Sequence, residues 1–338
     1  MTHTIIIAEA GVNHNGSLAT AIEMVHAAAA AGVDYVKFQT FKAEKLVSAG
    51  AAKAQYQQEN CPGMGDTQLQ MLRSLQLSSD DFTILQKECG RCGVGFLSSP
   101  FDLDSIELLA SLGMDYWKVP SGEITNLPYL EKIGAQHAKV ILSTGLSTLD
   151  EVAEAVEVLE HSGTLRSNII LLQCNTQYPT PMRDVNLRAM NSLATLGCGA
   201  VGYSDHTPGE EVPIAAVALG AKVIEKHFTL DKSMPGPDHK ASLDPQELTL
   251  MVQSVRNVEM ALGSEHKCVS ASEQPNIAVA RKSIVAACPI RKGDTFTNEN
   301  ITAKRPGTGV SPMRWHEIIG RKATQDYLPD EQIAAPEV

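Results

Sequence analysis

Eight short runs rich in β-branched residues recur through the first two thirds of the chain, each followed by a longer run with helical periodicity. The short runs fall at 4–8, 33–38, 94–98, 115–119, 140–143, 168–174, 200–204 and 222–227. Helical patterning occupies 18–31, 80–89, 104–112, 149–161 and 209–219, and 245–262 closes the set. Ser78, Ser79 and Asp80, and likewise Ser147 and Thr148, offer side-chain oxygens to cap the helices that follow them. Parallel strands cannot be joined by a tight hairpin, so strands that alternate with crossover helices dictate a parallel sheet. Eight such units and a final helix predict an α/β fold of the (β/α)8, or TIM-barrel, type ending near Gly263.

At 338 residues the chain is longer than such a barrel needs. The polar run 264–279 reads as a linker, and 280–338 changes to short strands and turns, a small second domain expected to hold little core and to dock on something larger. Residues 44–75 are too many for a simple connection, and their Gln, Gly and Met content reads as a surface excursion over the barrel mouth, a lid. A net charge of -11 without a sustained basic stripe argues against a nucleic-acid surface, so an anionic substrate must be held by a few local lysines. No run is long and apolar enough to span a bilayer, and the start, Met1-Thr2-His3-Thr4, lacks the basic flank and apolar core of a secretory signal. Seven scattered cysteines predict a reducing, cytoplasmic setting. Cys89-Gly90-Arg91-Cys92 reads as a helix end, because no second pair accompanies it.

In a barrel of this kind the C-terminal strand ends form the active site. Every predicted strand end carries polar groups: Glu9 after the first, Lys37 and Gln39 on one face of the second, Ser99 after the third. Lys118, Ser121 and Glu123 follow the fourth, Ser143 ends the fifth, Asn175 and Tyr178 follow the sixth, and Ser204, His206 and His227 close the seventh and eighth. Two inward lysines among serines describe a site for a phosphate ester, where ammonium charge and short donors replace water around an anion. Taken alone, either lysine is equally a surface residue with an extended stem. Glu9 and Glu123 are acid–base groups or simply neutralise the lysines, and the sequence leaves that open.

His206 and His227 emerge at the same edge if their strands are neighbours, which makes a place to hold a metal. A lone buried histidine is ordinarily a hydrogen-bonded core residue, and for this pair the two readings are balanced. Glu225 shares the inward face of 223–227 with His227 and is expected to orient its imidazole.

The segments E-A-G-V-N-H-N-G from Glu9, V-K-F-Q-T from Val36, K-V-P-S-G-E from Lys118 and Y-P-T-P from Tyr178 are joined by S-D-H-T from Ser204, E-K-H-F-T from Glu225, G-P-D from Gly236 and K-R-P-G from Lys304. Together they resemble the bacterial N-acetylneuraminate (sialic acid) synthases and their legionaminate-making relatives. The resemblance implies a (β/α)8 barrel followed by a small antifreeze-like (SAF) domain, working as a domain-swapped homodimer. It implies condensation of phosphoenolpyruvate with an N-acetylmannosamine-type sugar, release of phosphate, and a divalent metal, commonly Mn2+, with Mg2+ or Co2+ as alternatives. Carried over by position, Lys37, Ser99, Lys118, Ser121, Ser143 and Ser204 resemble the phosphoenolpyruvate contacts. Gln39, Glu123, Tyr178 and Asp238 resemble the sugar contacts, His206 and His227 the metal ligands, and Arg305 a contact delivered by the partner subunit's small domain. Where some members read Cys-Thr-Asn, this chain reads Cys174-Asn175-Thr176, so the phosphate-side contact is Asn175 or Thr176.

The resulting expectation is an N-acetylneuraminate synthase. The alternative is an N,N'-diacetyllegionaminate synthase that uses 2,4-diacetamido-2,4,6-trideoxymannose. Two more distant readings are a Schiff-base aldolase with Lys37 or Lys118 as nucleophile, which needs a desolvated lysine, and a non-catalytic sugar-binding barrel, which needs neither lysines nor a histidine pair.

Overall fold

In the computed structural model, which describes residues 3–61 and 63–334, the eight β-branched runs form eight strands. They are β1 (Ile5–Gly11), β2 (Tyr35–Thr40), β3 (Gly95–Pro100), β4 (Tyr116–Val119), β5 (Lys139–Ser143), β6 (Ile169–Cys174), β7 (Ala200–Asp205) and β8 (Val223–His227). Their ladders are parallel, in the order β3-β2-β1-β8-β7-β6-β5-β4, and β3 and β4 lie side by side where the order ends, closing a barrel. Ile7, Leu97, Ile141, Leu172 and Val223 pack together at full burial inside it, a filled floor rather than a pore. Gly202 belongs to this layer for lack of room: a Cβ there would stand 2.3 Å from the Val223 carbonyl oxygen.

The outer ring contains α1 (Leu18–Ala31), then the short helices α2 (Ala43–Leu46), α3 (Gln55–Asn60) and α4 (Gln68–Leu75) of the long excursion, then α5 (Ser79–Cys92) and α6 (Leu103–Leu112). It continues with α7 (Leu127–Gly134), α8 (Leu149–His161), α9 (Ala189–Ala194), α10 (Glu211–Ala218) and α11 (Pro245–Leu262). Ser78 and Thr148 do cap α5 and α8, each in a reciprocal box with Asp81 or Glu151. The Cys89 to Cys92 segment is the last turn of α5, stopped by Gly93 in the left-handed region at φ 74°. Val25, Leu85, Leu109, Val156 and Leu248 face the barrel's outer surface, where Val36, Phe38, Val140 and Ile224 meet them fully buried. Each such side chain contributes about 1.5–3 kcal/mol on leaving water, which is why the ring stays closed on the sheet.

The excursion is folded, not loose. Met71, Leu72 and Leu75 of α4 pack with Val12, Phe41, Ala43 and Cys61 in a separate apolar cluster. Gly16 permits this docking, since its φ is 74° and a Cβ would lie 2.4 Å from the Ser74 carbonyl oxygen. Asn60 at the end of α3 donates from Nδ2 to the Pro237 carbonyl at 2.9 Å, which pins the excursion to the loop after β8.

On the opposite face of β8 from Glu225 and His227, Lys226 is wholly buried and its Nζ lies 2.5 Å from Asp205 Oδ2. The same ammonium donates to the Thr207 carbonyl, while Asp205 also accepts from Thr207 N and Thr207 Oγ1, both at 3.0 Å. This closed ion pair ties the end of β7 to the end of β8.

The chain divides into two compact units, Met1–Gly263 and Ser264–Val338. In the second, α12 (Asn276–Ala280) leads into β9 (Ser283–Ala286), which pairs antiparallel with β10 (Ile301–Lys304), and α13 (Trp315–Ile318) follows. Ile284, Ile290, Phe296, Ile301, Ile318, Tyr327 and Ile333 are buried together there, so this unit has more core of its own than its length suggested. Among the described residues, no helix is long and apolar enough to cross a membrane.

Candidate active site

The strand ends of the first unit enclose a cleft of about 1100 Å³, counting its open side. Glu9, Lys37, Gln39, Ser99, Lys118, Ser121, Ser143, Tyr178, Ser204, His206, His227 and Asp238 all line it. They arrive from all eight strands and the loops that follow them, because the C-terminal ends converge there and alternation aims the last inward side chains at the barrel axis.

At its floor lies an alternating charge network. Lys37 Nζ is 2.7 Å from Glu9 Oε2 and 3.1 Å from Ser99 Oγ. Lys118 Nζ donates to Ser143 Oγ at 2.9 Å and stands 3.3 Å from Glu225 Oε1. Glu225 bridges the two cations, with Oε2 3.7 Å from Lys37 Nζ and Oε1 accepting from Ser204 Oγ at 3.0 Å. The carboxylate is thus not the partner of His227 that its position suggested. It belongs to the lysines, a role legible only once β2, β4 and β8 are brought together.

Burial disfavours every charge here, and the partners decide which survive. For Glu225 burial is outweighed by Lys118 and Lys37, which hold its carboxyl down to about 2. Glu9 goes the other way: burial raises it, opposed by Lys37 and reinforced by the negative charge of Glu225. Burial works against the Lys37 ammonium, but Glu225 and Glu9 hold it above its ordinary value, whereas burial leaves Lys118 below its own. Burial, with help from Glu9, pushes Asp238 up to about 7. Two carboxyl groups with opposed shifts on one lysine separate into a permanent anion, Glu225, and a group ready to exchange a proton, Glu9.

His206 and His227 stand side by side, with ring centroids 5.2 Å apart. His206 Nδ1 donates to the Asn175 carbonyl, which leaves Nε2 as an acceptor facing the Tyr178 hydroxyl at 2.9 Å. Tyr178 itself stacks on His206 at 4.0 Å between ring centroids. His227 Nδ1 is buried without a hydrogen-bond partner and lies 4.0 Å from Asp238 Oδ2. Burial drives His206 down to about 4 and His227 well below its ordinary value. Two neutral imidazoles, one fixed in tautomer by a backbone carbonyl and one with an orphaned nitrogen, are a donor set that fits a divalent transition metal. A grouping of His26, Glu88 and Cys92 on α1 and α5 also has metal-like spacing, but Arg91 donates to Glu88 there at 2.9 Å and at 2.5 Å, so it is an ordinary surface ion network.

Two expected site residues have their side chains occupied locally. Glu123 turns to accept from Asn126 Nδ2 at 2.6 Å, and burial raises its carboxyl. Asn175 uses its side chain locally, accepting from Gln177 N at 2.8 Å, and Thr176 lines the cleft in its place. Arg305 lies in the second unit, where its Nε donates to the Ala280 carbonyl at 3.0 Å. The sequence assigned Glu225 to His227 rather than to the lysines, and it marked the excursion as a lid without singling out the residues that wall the mouth, among them Leu46, Val47 and Leu72.

Residues 24–267 match the NeuB family and residues 281–338 match the SAF domain. The chain belongs to the NeuB family. It is 51% identical over 333 residues to an N,N'-diacetyllegionaminic acid synthase of Campylobacter jejuni subsp. jejuni serotype O:2, covering 98% of this chain and 99% of that protein. It is 46% identical to the protein of the same description from Legionella pneumophila subsp. pneumophila, over 95% of this chain and 90% of that one. Among solved structures, the N-acetylneuraminic acid (sialic acid) synthetase of Leptospira borgpetersenii serovar Hardjo-bovis superposes with a TM-score of 0.72 at 31% identity, covering 81% of this chain and 90% of that chain. The chain is therefore a carbon–carbon bond-forming, phosphoenolpyruvate-dependent transferase of the sialic and legionaminic acid synthase type, with a barrel followed by an SAF domain.

Proposed function

We propose that this enzyme condenses phosphoenolpyruvate with 2,4-diacetamido-2,4,6-trideoxymannose to give N,N'-diacetyllegionaminate and phosphate. The observation that carries the sugar is the 51% identity, over nearly the whole of both chains, to a synthase of that product. It favours this acceptor over the N-acetylmannosamine that the motifs alone put first.

In this reading Lys37 and Lys118, backed by Ser99 and Ser143, hold the carboxylate and phosphate of phosphoenolpyruvate at the barrel floor. Glu225 remains ionised and keeps both ammonium groups charged and aimed. Carbon 3 of phosphoenolpyruvate bonds to the sugar's aldehyde carbon, whose oxygen becomes the new hydroxyl; water adds at carbon 2, and the tetrahedral intermediate expels phosphate with carbon–oxygen cleavage to leave the carbon-2 ketone, so that of water's two protons one ends on the new hydroxyl and one on the phosphate. Glu9, whose raised carboxyl sits 2.7 Å from Lys37, takes the proton from that water and returns it to the departing oxygen. His206 and His227 would hold the divalent metal, Mn2+ or alternatively Mg2+ or Co2+, which when bound supplies Lewis-acid polarisation of the aldehyde oxygen. Gln39, Tyr178 and Asp238 border the sugar, and the enzyme works as a homodimer in which Arg305 reaches the partner's sugar site. Lys37 fits the nucleophile of a Schiff-base aldolase poorly, since Glu225 and Glu9 hold it above its ordinary value; Lys118, although burial lowers it, donates to Ser143 and stands 3.3 Å from Glu225, the setting of an anion-binding ammonium.

The test is steady-state phosphate release by the purified chain with phosphoenolpyruvate and each sugar in turn. A kcat/KM for the diacetamido sugar at least tenfold above that for N-acetylmannosamine is expected. A preference for N-acetylmannosamine, or no turnover of either, would overturn the assignment.

A further inference from the structure

The inner half of the cleft is crowded with charge, but its outer wall is not. The excursion between β2 and α5 contributes Leu46 and Val47 from α2 and its end, and Met71, Leu72 and Leu75 from α4. Its other lining residues are the amides Gln57 and Gln68, so none of its described lining residues is charged. Three of the excursion's four cations are committed elsewhere, Arg73 to Glu44 at 2.7 Å, Lys42 to Asp104 at 2.8 Å, and the buried Lys53 to the Cys61 carbonyl at 3.0 Å, and the fourth, Lys45, is exposed on α2 and does not line the cleft. The wall is held over the cleft from two sides, by the close approach of Gly16 to Ser74 and by the bond from Asn60 to the Pro237 carbonyl beside Asp238.

A six-carbon open-chain sugar with its aldehyde at the histidine pair must run outward, past Asp238 and toward this wall. An apolar surface with interspersed amides is complementary to methyl and acetamido groups and leaves a hydroxyl or a phosphate there without a partner. We propose that the excursion is the specificity wall of the enzyme, reading the far end of the acceptor and selecting a sugar that is deoxygenated at carbon 6 and N-acylated. Leu46, Val47 and Leu72 meet the carbon-6 methyl and the acetamido methyl, and the side-chain amide of Gln68 faces the acetamido dipole. This rests on the function proposed above and assigns the discrimination to particular side chains.

The experiment compares kcat/KM for 2,4-diacetamido-2,4,6-trideoxymannose and for N-acetylmannosamine in the unaltered enzyme and in Val47→Asn and Leu46→Gln. Both positions are half-buried at the cleft's rim and pack against the excursion's apolar cluster without belonging to its buried members, so thermal denaturation of each variant is read alongside the kinetics. The ratio of the two constants should fall about tenfold, in line with one apolar group losing its pocket. KM for phosphoenolpyruvate serves as the fold control and should stay within about twofold. Leu72→Asn, deeper in the wall, should lower the ratio further. A ratio unchanged in all three variants, or equal losses for both sugars, would overturn the wall while leaving the reaction intact. An unaltered enzyme that prefers N-acetylmannosamine would overturn the sugar assignment and the wall with it.

Discussion

Replacing Lys226 by Met strips its ammonium from Asp205 and leaves a carboxylate in a position with no solvent contact. Removing one partner of a buried ion pair costs about 3–5 kcal/mol, because the survivor is neither solvated nor neutralised. Here Asp205 keeps two bonds from Thr207, so the lower end, about 3 kcal/mol, is expected. Because Asp205 is already raised by burial, the variant is expected to recover part of this loss by protonation, and the loss should therefore grow as pH rises. Urea titration followed by circular dichroism reads the change as a lowered midpoint at constant slope, and heating reads it as roughly 6–12 °C for a barrel of this size. The double variant Asp205→Asn with Lys226→Met should be more stable than Lys226→Met alone, since no charge is then stranded. A loss under about 1 kcal/mol, of the order seen for exposed pairs, would refute the claim that this pair locks the ends of β7 and β8.

Chelation should abolish activity and Mn2+, Co2+ or Mg2+ should restore it, whereas His206→Ala and His227→Ala should not be rescued at ordinary metal concentrations; full activity in excess chelator would contradict the metal assignment. Lys37→Ala and Lys118→Ala should lower kcat/KM for phosphoenolpyruvate by about a hundredfold or more, since each removes a charge-assisted contact from a buried site, and unchanged kinetics would return both to a structural role. Burial raises the Glu9 carboxyl above its ordinary value, so activity that needs its ionised form should fall as pH drops through that raised value, and Glu9→Gln should remove this acid limb from the pH profile along with most of kcat. Mixing inactive Arg305→Ala with inactive His206→Ala subunits should regenerate one native site per mixed dimer, and verified subunit exchange without returning activity would refute the shared site.

Most of the barrel was legible in the sequence because its determinants are local. Period-two alternation and capping oxygens at Ser78 and Thr148 mark elements without reference to anything distant. The site was legible for the same reason wherever a side chain ends a strand, as Lys37, Lys118 and His227 do. Glu225 shows the limit. Its inward direction followed from alternation, but its partners come from β2 and β4, and no spacing in the sequence encodes that meeting. Glu123 and Asn175 find local partners that no spacing announces, because the loop backbones after β4 and β6 bring Asn126 and Gln177 to their side chains. The excursion's composition marked it as a segment over the mouth, yet which of its residues face inward depended on how α4 meets Gly16.

The two ammonium groups and two carboxylates at the barrel floor cancel one another. A ligand carrying both a phosphate and a carboxylate therefore brings its whole negative charge into a buried volume that has no surplus of positive charge waiting. Protons must accompany it, onto Glu9 or Asp238, both already displaced toward their protonated forms, or a cation must precede it. Entry of such an anion is thereby expected to take up protons or a cation from the surrounding solution rather than to be a simple docking.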